Sequence, residues 1–137
     1  MNRPLCSLFL KFGAVGSLGF VVDAAFLYLG IYVFSLSPVH AALFSYPFAV
    51  TFSWAGNRYF TFKETPRQPM MRQWAVFAAT CTLGLIFNRG TYTLLVSTVP
   101  LVYNHPGIGL VAGTAAGMLV NFFLARNLVF IRATPHN

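Results

Sequence analysis

Four long apolar stretches follow one another along the chain, and each has the length of a membrane-crossing helix, which needs about 20 apolar residues. The first covers residues 8–34 and is broken only by Lys11 near its start and Asp23 within it. The turn Ser35, Leu36, Ser37, Pro38 restarts a helix, because serine is a good N-cap and proline suits the first helical turn, where its missing N–H costs nothing. The second stretch runs to about residue 62, with Pro47 expected to kink it. Lys63, Glu64, Thr65, Pro66, Arg67, Gln68 and Pro69 then make the one strongly polar stretch and the one candidate boundary. The third apolar stretch starts at residue 72 or 73 and reaches 99, carrying Asn88 and Arg89 inside it, and Pro100 ends it. Tyr103, Asn104, His105 and Pro106 repeat the turn-then-proline arrangement, and the fourth stretch runs to about residue 131 before a short polar tail.

The two halves of this pattern resemble each other. A shift of 65 positions pairs Gly13 with Ala78, Ser17 with Thr82, Gly19 with Gly84 and Asp23 with Asn88. A shift of 68 pairs Pro38 with Pro106, Ser45 with Gly113, Ala49 with Gly117, Ser53 with Asn121, Arg58 with Arg126 and Phe62 with Phe130. Each half holds two spans and returns the chain to the side where it began, so the repeats are expected to be parallel, about a pseudo-twofold axis along the membrane normal. The expected fold class is an all-α membrane protein of four transmembrane helices in two parallel two-helix repeats. Repeat 1 covers about 8–62, a cytoplasmic linker about 63–72, and repeat 2 about 73–131, all in one membrane domain over 1–137.

Composition agrees with lipid as the solvent, since 57% hydrophobic and 8% charged residues are far outside the range of a soluble domain. A net charge of +7 in a soluble protein would suggest nucleic acid, but its placement decides otherwise. Arg89 aside, the basic residues sit at the N-terminus (Arg3, Lys11), around the central linker (Arg58, Lys63, Arg67, Arg72) or near the C-terminus (Arg126, Arg132). By the positive-inside rule both termini and the linker are cytoplasmic, the two short turns face outward, and the setting is the inner membrane. The basic start followed by an apolar run resembles a signal peptide, but the run is too long and lacks a small-residue cleavage site, so it is read as a retained first helix. Cys6 at the membrane edge and Cys81 inside a span form no disulfide framework.

Small residues recur every fourth position in the second and fourth spans: Ala41, Ser45, Ala49, Ser53 and Asn57 in one, Gly109, Gly113, Gly117, Asn121 and Ala125 in the other. Positions four apart share a helical face, and small residues there let backbones approach closely. Packing within the chain and a homo-oligomer interface both fit such a stripe.

Asp23 and Arg89 carry the most chemical information. A charge inside the bilayer costs about 2.5–3.5 kcal/mol on insertion scales, so it normally has a partner or a task. By helical rise both are expected roughly 20 Å from the cytoplasmic side. Three readings stand: an ion pair that fixes helix register; a cationic site where Arg89 binds an anionic headgroup that Asp23 orients or releases; and snorkelling without partners. At the cytoplasmic ends stand Asn57 and Arg58, Asn121 and Arg126, with Tyr59, Phe60, Phe62 and Phe130. Arginine at a helix C-terminus and interfacial aromatics explain them structurally; polar clusters admitting a phosphorylated lipid head explain them functionally. No Ser/His/Asp grouping, paired carboxylates or metal-ligand spacing among His40, His105, His136 and the cysteines points to an enzyme, a metal or a cofactor.

An apolar helix with an interior Asp, followed by a helix ending in Asn57, Arg58, Tyr59, Phe60, Thr61 and Phe62, resembles the GtrA-like family of small four-helix membrane proteins over about residues 9–130. The second half departs from that ending, with Asn121 upstream and then Arg126, Asn127, Leu128, Val129 and Phe130. The resemblance implies a role in cell-surface polysaccharide synthesis, by moving polyprenyl-phosphate-linked sugars across the cytoplasmic membrane. A flippase must shelter a charged head in a low-dielectric layer while the prenyl tail stays in lipid. Arg58 and Arg126 would attract the head, and Arg89, Asn88 and Asp23 would form a mid-membrane station. A groove between protomers is expected, because four helices enclose little volume. Two rivals remain: a small-multidrug-type proton-coupled exporter, and a non-transporting scaffold for a glycosyltransferase.

Overall fold

A computed structural model describes residues 4–66 and 68–130, and every regular element in them is helical. The helices are α1 (Leu5–Tyr32), α2 (Pro38–Gly56), α3 (Met70–Thr98), the short α4 (Pro100–Asn104) and α5 (Pro106–Leu124). Single π-helical turns extend α2 over Asn57–Thr61 and α5 over Ala125–Val129. The chain divides into two compact units between Arg67 and Gln68, each a helical hairpin: α1 with α2, and α3 with α4 and α5.

Three helices among the described residues, Leu5–Tyr32, Met70–Thr98 and Pro106–Val129, are long and apolar enough to cross a membrane. The fourth long helix, α2, is 19 residues long, and Pro38, His40, Tyr46, Pro47 and Trp54 dilute its apolar character. Lipid as solvent also explains the exposed apolar side chains, such as Leu10 at 65%, Phe20 at 72% and Val111 at 70%. In water, patches of this extent would drive aggregation.

The helix boundaries differ from the pattern-based expectation in ways local chemistry explains. The first helix is Leu5–Tyr32 rather than 8–34, and the third starts at Met70 rather than 72 or 73, with Pro69 as its N-cap. Pro100 ends α3 and also starts α4, because its fixed φ suits a first helical turn. The fourth stretch leaves regular α-helix at Leu124, and its expected end at Ile131 lies outside the described residues, as do Arg3, Arg67, Arg132 and His136. At the start of α2, Ser37 is the N-cap and accepts from the His40 backbone N–H at 3.4 Å. The helix runs on through Pro47, whose carbonyl accepts from Thr51 Oγ1 at 2.7 Å.

The turn between α1 and α2 closes with the Leu36 N–H on the Gly30 carbonyl at 3.0 Å and places Ser35 at φ 53°. A left-handed backbone suits glycine better than serine. Ser35→Gly is therefore expected to stabilise the protein by about 0.5–1 kcal/mol, read as a higher unfolding midpoint in detergent.

Each hairpin is an antiparallel ladder of close contacts. In the first, a Cβ on Gly30 would sit 3.1 Å from Ala41 Cβ, one on Gly19 would run into Ser53 Oγ, and one on Gly56 would lie 2.8 Å from Val15 Cγ1. Phe12 meets Phe62 edge-on at 6.4 Å at the open end. In the second, Gln73 Nε2 donates to the Val129 carbonyl at 3.3 Å, and Phe77 meets Phe130 edge-on at 6.1 Å. Farther along, Gly84 lies against Gly117 and Asn121, Gly113 against Asn88 and Tyr92, and Gly109 against Tyr92, Val96 and Val102. The hairpins also share details position by position: Ser17 Oγ donates to the Gly13 carbonyl at 3.0 Å, and Thr82 Oγ1 to the Ala78 carbonyl at 3.1 Å. The stripes of small residues thus face the other helix of their own hairpin. Hydrophobicity supplies little drive between helices in lipid, and close backbone approach replaces it.

Candidate functional site

Within hairpin 1 the interior carboxylate has a defined partner. Ser45, 1% exposed on α2, donates its hydroxyl to Asp23 Oδ1 at 2.7 Å, and the same oxygen stands 3.2 Å from the Ala42 carbonyl. A hydrogen bond to an ionised group contributes about 1.5–3 kcal/mol, enough to offset much of the cost of holding a carboxylate in a span. Asp23 is 18 residues from the start of α1 and 9 from its end, about 27 Å and about 14 Å along the axis. The corresponding figures for Arg89 in α3 are 19 and 9 residues, about 28 Å and about 14 Å. Both groups therefore lie deeper from the N-terminal ends of their helices than the expected 20 Å, because each helix begins earlier than its apolar pattern indicates.

In hairpin 2 the structure separates Asn88 from Arg89. Asn88 is half-buried and faces α5: a Cβ on Gly113 would sit 2.6 Å from the Asn88 backbone oxygen and 3.1 Å from its Oδ1. Arg89, a 100° step around the helix, is exposed, and Gly90 beside it has nothing within 4 Å of an added Cβ. The chain's two carboxylate side chains are Asp23 and Glu64, so hairpin 2 contains no carboxylate at all. Arg89 is an exposed cation in an apolar helix whose own hairpin cannot neutralise it.

The ends of the hairpins hold a second set of polar groups. The π turn after α2 arises where the Phe62 N–H bonds the Asn57 carbonyl, five residues back, at 2.8 Å. Such turns are uncommon and cluster at functional sites. This one buries Asn57 at 1%, Thr61 at 1% and Arg58 at 8% exposure. Asn57 Nδ2 donates to the Ser53 carbonyl at 2.9 Å, while Asn57 Oδ1 and Thr61 Oγ1 are buried without a hydrogen-bond partner. The Arg58 guanidinium sits 5.6 Å from the Trp54 ring and 5.9 Å from the Tyr59 ring. Arg58, which the sequence offers either as a helix-end arginine or as an attractor for an anionic head, is largely buried, and cation–π stacking holds it against the helix. Lys11 lies over Phe60 at 5.2 Å.

In hairpin 2 the corresponding π turn has the Phe130 N–H on the Ala125 carbonyl at 2.8 Å. Arg126 is half-buried there, Asn121 Nδ2 donates to Cys81 Sγ at 3.6 Å, and Asn121 Oδ1 is buried without a hydrogen-bond partner. Among the described residues no three His, Cys, Asp or Glu side chains come together in a way that could hold a metal.

Sequence reasoning marked Ser45 only as a packing residue, Thr61 only as part of the family ending and Cys81 only as a cysteine without a disulfide, and it passed over Trp54. Trp54 was findable, since it stands four residues before Arg58 and that spacing puts both on one helical face. Ser45 was findable from its place among small residues across the hairpin from Asp23, but only once the register of α1 on α2 was known.

Antiparallel hairpins of apolar helices with lipid-facing surfaces, interior ionisable groups and polar clusters at the helix ends define a multi-pass helical membrane protein. The family model for the GtrA/DPMS transmembrane domain matches residues 11–130, and the chain belongs to this family. Its members are generally non-catalytic membrane proteins involved in cell-surface polysaccharide synthesis. No curated protein matches the chain.

Proposed function

We propose that the protein moves a polyprenyl-phosphate-linked sugar across the cytoplasmic membrane for cell-surface polysaccharide synthesis. The observation that carries this reading is Arg89: an exposed guanidinium on an apolar helix, in a hairpin without a carboxylate, has the charge and planar fork to receive a phosphate. In this reading all four long helices span the membrane as two parallel repeats, and both termini and residues 63–72 are cytoplasmic. Lys11, Arg58, Lys63, Arg72 and Arg126 support that orientation.

The roles divide by chemistry. Arg89 takes the phosphate, with Asn88 as its neighbour in the chain, while Asp23 is the interior charge of the first hairpin. Asn57 Oδ1 and Asn121 Oδ1 are acceptors, which repel phosphate oxygens and suit sugar hydroxyls. Arg58 and Arg126 hold the cytoplasmic ends positive. A homo-oligomer supplies the groove, with the prenyl tail remaining in lipid.

The test uses purified protein in proteoliposomes carrying a fluorescent polyprenyl-phosphosugar, with an impermeant reagent reading its arrival in the opposite leaflet. Transfer well above that of protein-free vesicles is expected. No transfer, together with co-purification of a glycosyltransferase, would replace this reading by a scaffold. Proton-driven cation efflux lost in Asp23→Asn, again without lipid transfer, would replace it by an exporter.

A further inference from the structure

The Ser45 hydroxyl stands between two acceptors, Asp23 Oδ1 at 2.7 Å and the Ala42 carbonyl oxygen at 3.2 Å. A hydroxyl has one hydrogen and two lone pairs, so it can donate to one of these at a time. Two complete arrangements follow. With Asp23 ionised, Ser45 donates to Oδ1. With Asp23 protonated, the carboxylic O–H donates to Ser45 Oγ, and Ser45 turns its hydrogen to the Ala42 carbonyl. Rotation about one Cβ–Oγ bond connects the two, and in neither does a polar hydrogen lack an acceptor.

From this geometry we infer that Asp23 and Ser45 form a proton-binding site inside the first hairpin, of the kind a secondary transporter uses for its coupling ion. One proton arrives from water and forms one O–H bond on Asp23; no other bond is made or broken. The site belongs to one hairpin only. At the matching positions of the other stand Asn88, which does not titrate, and Gly113, which has no hydroxyl.

The elements packed on α1 within its hairpin are α2 and the π turn that follows it. Their ionisable groups are His40, whose Nδ1 is 2.6 Å from Ser37 Oγ; Tyr46, the residue after Ser45; and Arg58 and Tyr59, more than three helical turns beyond Ser45. On α1 itself Lys11 lies over Phe60 and Tyr28 stacks on Tyr32. The hydrogen bond recorded on the Asp23 carboxylate is that of Ser45. The inference does not depend on the transported cargo, because proton uptake can be read with no lipid substrate present.

Asp23 is the single aspartate of the chain, so isotope labelling reports on it without mutation. The full chain, made by cell-free synthesis with carboxyl-labelled aspartate and placed in nanodiscs, would be studied by infrared difference spectroscopy between alkaline and acid buffer. The expected result is a carboxylic C=O band that moves with the label, shifts in heavy water, and rises in frequency in Ser45→Ala as the carboxylic O–H loses its acceptor. Glu64→Gln should leave this band in place. A difference spectrum with no label-sensitive band overturns the inference, and so does a band unaffected by Ser45→Ala in protein of parental thermal stability. Failure of lipid transfer in the proteoliposome assay would remove the cargo and leave this band unchanged, so the two readings fail separately.

Discussion

Arg89→Ala should slow lipid transfer about tenfold to about a hundredfold while leaving the protein at least as stable as its parent. The slowing follows from losing hydrogen bonds to a charged group, worth about 1.5–3 kcal/mol, at about 1.4 kcal/mol per factor of ten in rate. The stability follows from position. Arg89 is exposed, its neighbour Gly90 lies in open space, and removing a charge from inside a span relieves an insertion cost of about 2.5–3.5 kcal/mol. Arg89→Lys keeps the charge but loses the bidentate fork, so its rate should fall between the two. Translocation rates and thermal midpoints on the same preparations check both halves of the prediction. A structural ion pair would give the opposite pattern, with stability lost on removing the guanidinium. A parental transfer rate in Arg89→Ala would take Arg89 out of the site.

The parts of this architecture that were legible in the sequence are those written in neighbouring residues. Ser37 and Pro38 marked the restart of a helix because capping and a missing N–H act within one turn. The stripe Gly109, Gly113, Gly117 marked a packing face because four-residue spacing is a property of one helix.

The parts that were not legible depend on other segments or on small backbone changes. A π turn adds one residue to a turn, and at the end of a helix the pattern of apolar positions does not reveal it. The burial of Arg58 was not legible, because it comes from a π turn and from Trp54. Residues 100–104 are too few for periodicity to show, although Pro100 stood at the position where a short helix could start. Asp23 and Ser45 stand 22 residues apart in the chain, and their pairing depends on the register of α1 on α2, which no local pattern specifies.

Gly117→Val should cost more than about 3 kcal/mol and prevent hairpin 2 from closing, whereas Gly90→Val should be tolerated. A Cβ on Gly117 would lie 2.6 Å from the Gly84 carbonyl oxygen and 2.8 Å from Asn88 Cβ, and the nearer of these is backbone. Overpacking a well-fitted site costs about 1–3 kcal/mol when side chains can adjust. Here a carbonyl of α3 stands in the way, so α5 must move as a body, and Gly113 and Gly109 lose their contacts with Asn88, Tyr92 and Val102. At Gly90 nothing lies within 4 Å of the added atom, so the substituent displaces no neighbour. The comparison is read from yield of folded protein and thermal midpoints in detergent for the two variants beside the parent. It also separates the two uses of a small-residue stripe. If Gly117 served contact between copies, Gly117→Val would keep its thermal midpoint and lose only its oligomeric state. A large loss of stability at unchanged protein concentration assigns the stripe to the interior of its own hairpin.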